Sequence, residues 1–268
     1  MQFILFSKMF QSLSLSKFAD LVASMKLDGV DLTVRPNGYI KPEEVKEKLP
    51  KAVEIFKSRD LQVTMLTTAI TSSEEPYSEE IFRTASYLGV KYIKLGYWKY
   101  MGFGYLRKQV EEVRRQLKGI EKLSKEYNIT AGVHIHSGMF ITAEPTVLWL
   151  ILEGFDPNLV GAYIDPGHMC IEGGLAGWLI GLDILSDKIK IVAIKDYGWF
   201  KAKGQWVART VPIGRGLVPW KEVFSILKQI NFNGPLSIHS EYDMPLNKII
   251  KLTKKDVSRL RDLVNLKF

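Results

Sequence analysis

At 268 residues, 46% hydrophobic and 25% charged, the chain has the make-up of a soluble globular protein, long enough for one α/β barrel or two small domains. No apolar run reaches the roughly 18 residues of a membrane span, and the amino terminus lacks the basic start and cleavage site of a secretory signal, so a cytoplasmic protein without membrane association is expected. The net charge of +8 invites a nucleic-acid reading, yet the lysines are spread along helix-like segments, as on solvated faces, and a basic balance suits anionic small molecules equally.

Residues 3–6 open as a buried strand, and Ser14 or Ser16 can cap a helix that carries Phe18, Leu21, Val22 and Met25 at helical spacing. Residues 29–35 form the second strand, whose period of two sets Asp31, Thr33 and Arg35 against Val30, Leu32 and Val34. If the aliphatic set faces helices, the polar set points into a barrel. A helix over 42–60 begins at Pro42, a strand covers 62–70, a helix covers 78–88 up to Gly89, and a strand covers 92–96. The longest helical pattern spans 106–127 and is closed by Asn128. Beyond it come strand five (131–136), a helix (146–154), strand six (160–165), a helix (175–185), strand seven (189–196), a helix (220–230), strand eight (235–241) and a last helix over 246–264.

Eight strands alternating with eight helices on short connections predict a single parallel (β/α)₈ TIM barrel domain over residues 1–268. An open doubly wound sheet would need a glycine-rich dinucleotide loop after the first strand, and none is there. The irregular insertion is 197–216, where a hairpin turning near Gly204 is expected, and a loop of that length after strand seven is usually functional. Cys170 is a lone cysteine, which excludes an intramolecular disulfide and reads best as a small buried hydrophobe.

The chemistry gathers around Ile164-Asp-Pro-Gly-His168. Asp165 ends a short apolar strand, and Pro166 and Gly167 force a turn that can bring His168 back over the strand mouth. Alternatively, Asp165 merely caps the turn and His168 is a satisfied surface histidine. All four histidines, His134, His136, His168 and His239, lie at the carboxyl ends of strands five, six and eight. If they point inward they share the mouth with Asp165, Lys195 and Glu241, and with Asp31, Arg35 and Lys94 from earlier strands. So many buried polar groups must be paired, metal-bound or wet. Imidazoles with carboxylates suit zinc, manganese or cobalt better than calcium. The competing reading of His134 and His136 is a hydrogen-bonded pair that fixes loops. Lys195 either pairs with Asp196 or Glu241 or holds an oxyanion. Asp31 and Arg35 are expected to pair with each other. Tyr97, Trp98, Trp199 and Trp206 form either a wall for a sugar face or ordinary packing.

With Gly29-Val-Asp-Leu-Thr-Val-Arg-Pro, Val133-His-Ile-His-Ser-Gly138, Ile194-Lys-Asp196, Val211-Pro-Ile-Gly-Arg-Gly216 and Gly234-Pro-Leu-Ser-Ile-His-Ser-Glu241 in this order, nearly the whole chain resembles the xylose-isomerase-like barrel superfamily. That group holds sugar isomerases, sugar-phosphate isomerase/epimerases and endonuclease IV. The resemblance implies one divalent ion held by Glu, Asp, His and Glu from strands five to eight. Asp165 matches the strand-six ligand and His168 the histidine that follows it. The chain departs at His134, Ala193 and His239, which stand where the first Glu, the His and the last Glu would be. Those two glutamates are also the usual acid and base, so the proton shuttle does not transfer unchanged. Endonuclease IV would need histidines on strands two and three, and none precedes His134, so neither DNA repair nor a nucleic-acid partner is expected.

The expectation is therefore a sugar or sugar-phosphate isomerase/epimerase-like enzyme that abstracts a proton next to a carbonyl. Glu241, His168 and Lys195 are the catalytic candidates, His134, Asp165 and His239 the ligands of a divalent Zn, Mn or Co ion, and His136, Arg35, Lys94 and Trp199 the groups that bind a small carbohydrate. If the ion is absent, Lys195 and a protonated His136 polarise the carbonyl. A keto-sugar or cyclitol lyase/dehydratase uses the same first step, and a non-catalytic sugar-binding barrel is the third reading. Self-association into a homo-oligomer stays open.

Overall fold

Apolar and polar residues alternate along the predicted strands, and the computed structural model, which describes residues 1–265, shows what that alternation builds. β1 (Gln2–Phe6), β2 (Gly29–Thr33), β3 (Gln62–Thr67), β4 (Tyr92–Lys94), β5 (Thr130–His134), β6 (Val160–Ile164), β7 (Ile189–Ile194) and β10 (Pro235–Ile238) pair in parallel and close into one barrel. The helices between them are α1 (Leu15–Ser24), α2 (Val45–Lys57), α3 (Ser78–Tyr87), α4 (Leu106–Tyr127), α5 (Pro145–Leu152), α6 (Pro166–Gly173), α7 (Gly177–Ile184) and α8 (Trp220–Gln229), followed by α9 (Leu246–Asn265). The single (β/α)₈ barrel read from the sequence is thus what forms, although the domain expected over 1–268 ends in residues 266–268, which lie outside the described residues. Among the described residues no helix is long and apolar enough to cross a membrane.

Helix starts and stops follow local chemistry. Ser14 caps α1 by accepting the Lys17 N–H at 3.3 Å, and Asn128 ends α4 in the left-handed region at φ 52°. Phe18, Ala19 and Val22 on α1, and Val113, Leu117 and Ile120 on α4, fall on buried faces at helical spacing. These faces cover the outward residues of the strands, such as Val30, Leu32, Val133, Ile164, Val192 and Ile238, in one apolar layer. The barrel interior holds a second, small cluster of Ile4, Met65, Tyr163, Ile191 and Ala193. Tyr163 is the largest of these, and Gly132 on β5 makes its room. A Cβ there would sit 2.6 Å from Ile191 Cδ1 and 3.2 Å from Tyr163 Cβ.

Three expectations change. Strands two to eight all stop short of their expected carboxyl ends, so His136, Lys195, His239 and Glu241 lie just past strand ends. Pro166 and Gly167 do not make a free turn but open α6. Asp165 caps it, its Oδ1 accepting the His168 N–H at 3.1 Å, and proline suits the first turn because its missing N–H has no intrahelical partner there. Asp31 does not pair with Arg35. It points into the barrel, where it accepts hydrogen bonds from Thr67 Oγ1 at 2.7 Å and Ser237 Oγ at 2.9 Å, while the Arg35 guanidinium lies 6.0 Å from the Phe6 ring centroid.

The insertion after β7 is a two-stranded antiparallel hairpin of β8 (Asp196–Ala202) and β9 (Gln205–Val211), turning at Lys203 and Gly204 as read from the sequence. Its base is anchored by one carboxylate. Asp196 is fully buried and accepts the N–H groups of Tyr197, Gly214, Gly216 and Val218 and the Trp220 indole at 2.9 to 3.2 Å. Gly216 is required there, since a Cβ would stand 2.2 Å from Asp196 Oδ1.

Two outcomes follow for stability. Asp196→Ala leaves several buried donors without an acceptor, so it should lower the unfolding free energy by about 3 kcal/mol or more in urea titrations. The same change at exposed Asp187 should stay within about 0.5 kcal/mol. Burial raises the Asp31 pKa to about 7 from its ordinary 3.8, so folding takes up a proton between those values. The stability carried by neutral Asp31 is complete below the unfolded value and is lost as pH rises through about 7. Asp31→Asn does not titrate. It should therefore gain on wild type between about pH 4 and about pH 7 and hold that gain above, by up to ~1.4 kcal/mol per unit within the titration window, and a gap independent of pH would contradict this placement.

Candidate active site

The inward residues of the strands continue past the strand ends and meet at the carboxyl rim, where α/β barrels carry their chemistry. Arg35, Lys94, His134, His136, Lys195, His239 and Glu241 line one cavity there, with a volume of about 70 Å³. That is room for roughly five waters at 10–15 Å³ each, so a sugar would insert one edge and leave the rest in the mouth. A larger cleft of about 470 Å³ near Ile70 and Tyr77 gathers apolar and surface side chains rather than converging ionisable groups, and the chemistry therefore favours the smaller one.

Lys195 is the centre of the arrangement. Its Nζ lies 3.1 Å from Asp165 Oδ2 and 3.0 Å from Glu241 Oε2, with 1% of the side chain exposed. Glu241 is closed from the outside by Lys8, whose Nζ is 2.5 Å from Oε1. Of the two partners expected for Lys195, Glu241 is the one it meets, while Asp196 serves the hairpin. Around this ion triad, His134 Nε2 and His168 Nε2 face Asp165 Oδ2 at 3.4 and 3.7 Å, and His239 Nδ1 faces Glu241 Oε2 at 3.7 Å. All three nitrogens are buried without a hydrogen-bond partner.

Aromatic side chains fix the rings. Tyr163 stacks on His134 with centroids 4.1 Å apart, and its hydroxyl is 2.9 Å from His239 Nε2. The Tyr97 hydroxyl is 2.9 Å from His134 Nδ1, and Lys94 Nζ lies 3.4 Å above the Tyr97 ring. His168 lies outside the cavity lining. It stacks behind His136 at 4.1 Å and shares a 2.6 Å hydrogen bond with Ser137 Oγ. Asp165 is likewise fully buried behind the lining. Trp199 is not brought to the site: it is exposed on β8 and shares a surface patch with Trp206. Trp98 is buried in the outer core and donates to Gln116 at 2.6 Å. The aromatic wall at the cavity is thus made by Phe6, Tyr97 and Tyr163.

Burial and charge set the protonation states. For Lys195 burial opposes the charge, but Asp165 and Glu241 outweigh it and hold the ammonium well above its ordinary range. Glu241 is also opposed by burial, yet Lys195, His239 and Lys8 keep its carboxyl well below the usual value. Burial, reinforced by the nearby lysines, lowers the pKa of all four histidines. Lys94 is also lowered well below its ordinary value, by burial and then by Arg35. The mouth therefore presents an ammonium, an ionised carboxylate and neutral imidazoles together.

The metal expected on His134, Asp165 and His239 does not fit these residues. Among the described residues no three His, Cys, Asp or Glu side chains are placed to hold an ion, and the space between the two carboxylates is filled by Lys195 Nζ. A divalent ion about 4 Å from that ammonium would meet a repulsion on the order of 8 kcal/mol at an effective dielectric of about 20. Two cations already neutralise the two carboxylates.

Phe6, Tyr163 and Lys8 line the cavity and escaped the sequence reading as site residues. Tyr163 was legible in principle, since a period of two from Asp165 puts it on the inward face. Lys8 carries no signal, because it reaches Glu241 across 233 positions. Tyr97 was marked for a sugar face and serves instead to orient His134.

The family model for the xylose isomerase-like TIM barrel matches residues 19–263. An inosose dehydratase of Clostridium tetani (strain Massachusetts / E88) is 31% identical over 159 residues, 54% of this chain and 52% of the relative. The chain thus spans about half the length of the curated relatives it matches first. Another inosose dehydratase, of Clostridium perfringens (strain 13 / Type A), is 24% identical over 84% of this chain and 86% of its own length. Among solved structures, a probable 3-DHS dehydratase from Bacillus anthracis superposes with a TM-score of 0.75 at 14% identity, covering 97% of this chain and 99% of the other. A D-tagatose 3-epimerase-like protein gives 0.73 at 18% identity, with 99% and 98% covered. These structural likenesses concern the fold, and with the match over 19–263 they place the chain in the xylose isomerase-like TIM barrel family.

Proposed function

We propose that the protein is a carbohydrate-modifying enzyme that removes a proton from the carbon next to the carbonyl of a keto-sugar or keto-cyclitol. The observation that carries this reading is the buried Lys195 ammonium set beside an ionised Glu241 in one cavity with neutral imidazoles. An ammonium fixed in a low-dielectric mouth stabilises the oxygen charge that grows as the proton leaves. Glu241 is the proposed base. Its two cations weaken it as a base, but they also lower the energy of the enediolate beside it, so the net effect favours transfer.

His136 is the proposed second proton carrier. It projects from the end of β5, three strands round the barrel from β10, which carries Glu241. A ring held between them meets one group on each side, which is what inversion at a carbon requires. His168, one of the catalytic candidates, is assigned a positioning role through its tilted contact with the His136 ring. Arg35 and Lys94 lie on the cavity wall and suit hydroxyls or an anionic substituent. Trp199 has no part in this reading.

Return of the proton to the other face of the same carbon gives an epimerase, and its delivery to the former carbonyl carbon, as the neighbouring hydroxyl becomes the carbonyl, gives an isomerase. Loss of a hydroxyl from the next carbon gives a dehydratase, the activity named for the inosose dehydratase relatives. Both start from the same abstraction, and product analysis separates them.

A panel of ketohexoses, their phosphates and inososes in deuterated water tests the proposal. At least one should gain deuterium at the carbon next to the carbonyl, or lose water with solvent deuterium uptake. Glu241→Gln should lower that rate by about 100-fold or more, and Lys195→Met by about 100- to 1,000-fold, while Trp199→Ala should leave it within about twofold. No exchange on any of the panel, or full activity in Glu241→Gln, would sink this assignment.

A further inference from the structure

We propose that the Lys195 ammonium occupies the place of a divalent metal ion in this barrel, as a tethered cation held by Asp165 and Glu241, so that the chain needs no metal. Its nitrogen bridges one oxygen of each carboxylate at 3.1 and 3.0 Å, and an ion bound to both oxygens would have to stand in the space it fills. The nitrogens of His134, His168 and His239 that face these carboxylates are 3.4 to 3.7 Å from them and make no hydrogen bond. They are donors of the kind that bind transition metals, arranged round a spot already taken.

The strand geometry supports the substitution. Lys195 follows β7 on the inward face it shares with Ala193 and Ile191, and Ala193 leaves space under its long side chain. Its carbon chain rises along the barrel wall and places the charge at the level of the carboxylates. The cavity thus carries a Lewis-acid-like positive centre whose charge, unlike a metal's, cannot be removed by chelation and cannot expand its coordination shell. It can donate a hydrogen bond to the substrate oxygen.

The inference rests on the proposed function only in naming that oxygen as what the ammonium meets. Full-length protein purified without chelator is incubated with Co²⁺ alone, desalted and measured for bound cobalt and visible absorption. Wild type should retain less than about 0.1 ion per chain, whereas Lys195→Ala, which frees the space and both carboxylates, should retain about one ion with the bands of a nitrogen and oxygen site. Adding Asp165→Ala to Lys195→Ala should abolish that uptake. Wild type retaining about one ion per chain, or a Lys195→Ala protein with an unchanged circular dichroism spectrum retaining none, overturns the proposal. If Lys195→Ala does not fold, the wild-type thermal midpoint decides. A midpoint indifferent to Co²⁺ and to chelator supports the tethered cation, and a midpoint raised by Co²⁺ and restored by chelator overturns it. Occupancy is read without substrate, so this test can fail while solvent proton exchange stands, and the reverse.

Discussion

Lys195 holds its charge in the least hospitable place on the chain, with 1% of its side chain in contact with solvent and two carboxylates within 3.1 Å. An isolated ammonium at that depth would shed its proton, because burial disfavours the charged form. Two carboxylates reverse the balance, and they come from the ends of different strands, so the ion triad closes only when the barrel closes. Removing any one member leaves an uncompensated buried charge, typically a loss of 3–5 kcal/mol. The neutrality of the surrounding imidazoles follows first from burial and is reinforced by the same charge. Fold and site therefore share one electrostatic constraint.

The barrel's period of two distributes the rest. On β5, β6, β7 and β10 the outward residues Val133, Ile164, Val192 and Ile238 join the layer beneath the helices, while His134, Tyr163, Ala193 and Ser237 turn inward. The interior is graded along the axis. Ile4, Met65 and Ile191 form a dry floor, Asp31 with Thr67 and Ser237 forms a neutral hydrogen-bonded layer, and the charged groups come last at the rim. The grading lets each polar layer rest on one that needs less water.

Much of this was readable in the chain. Strand and helix order came from periodicity, and the inward direction of His134, Lys195 and His239 came from counting by two. The hairpin after β7 was signalled by Gly204. What stayed hidden depends on distances between strands. Whether Lys195 chooses Asp196 or Asp165 cannot be read from adjacency, because Asp196 points outward to a ring of backbone donors contributed by residues 214–218. Asp31 and Arg35 share a strand face, yet Thr67 and Ser237 reach Asp31 first. Metal ligation was inferred from residue type, and residue type does not tell whether a lysine will stand among the donors.

Lys195 and Asp196 are neighbours facing opposite ways, one clamped into the cavity and the other into the base of the β8–β9 hairpin. The exposed face of the hairpin, with Trp199 and Trp206, stands away from the cavity, and its base meets the site through Tyr197, which lies against Lys195 and His168. Natural drift or deliberate grafting could rewrite that exposed face as a new recognition module while the tether beneath it keeps the Lys195 charge in register.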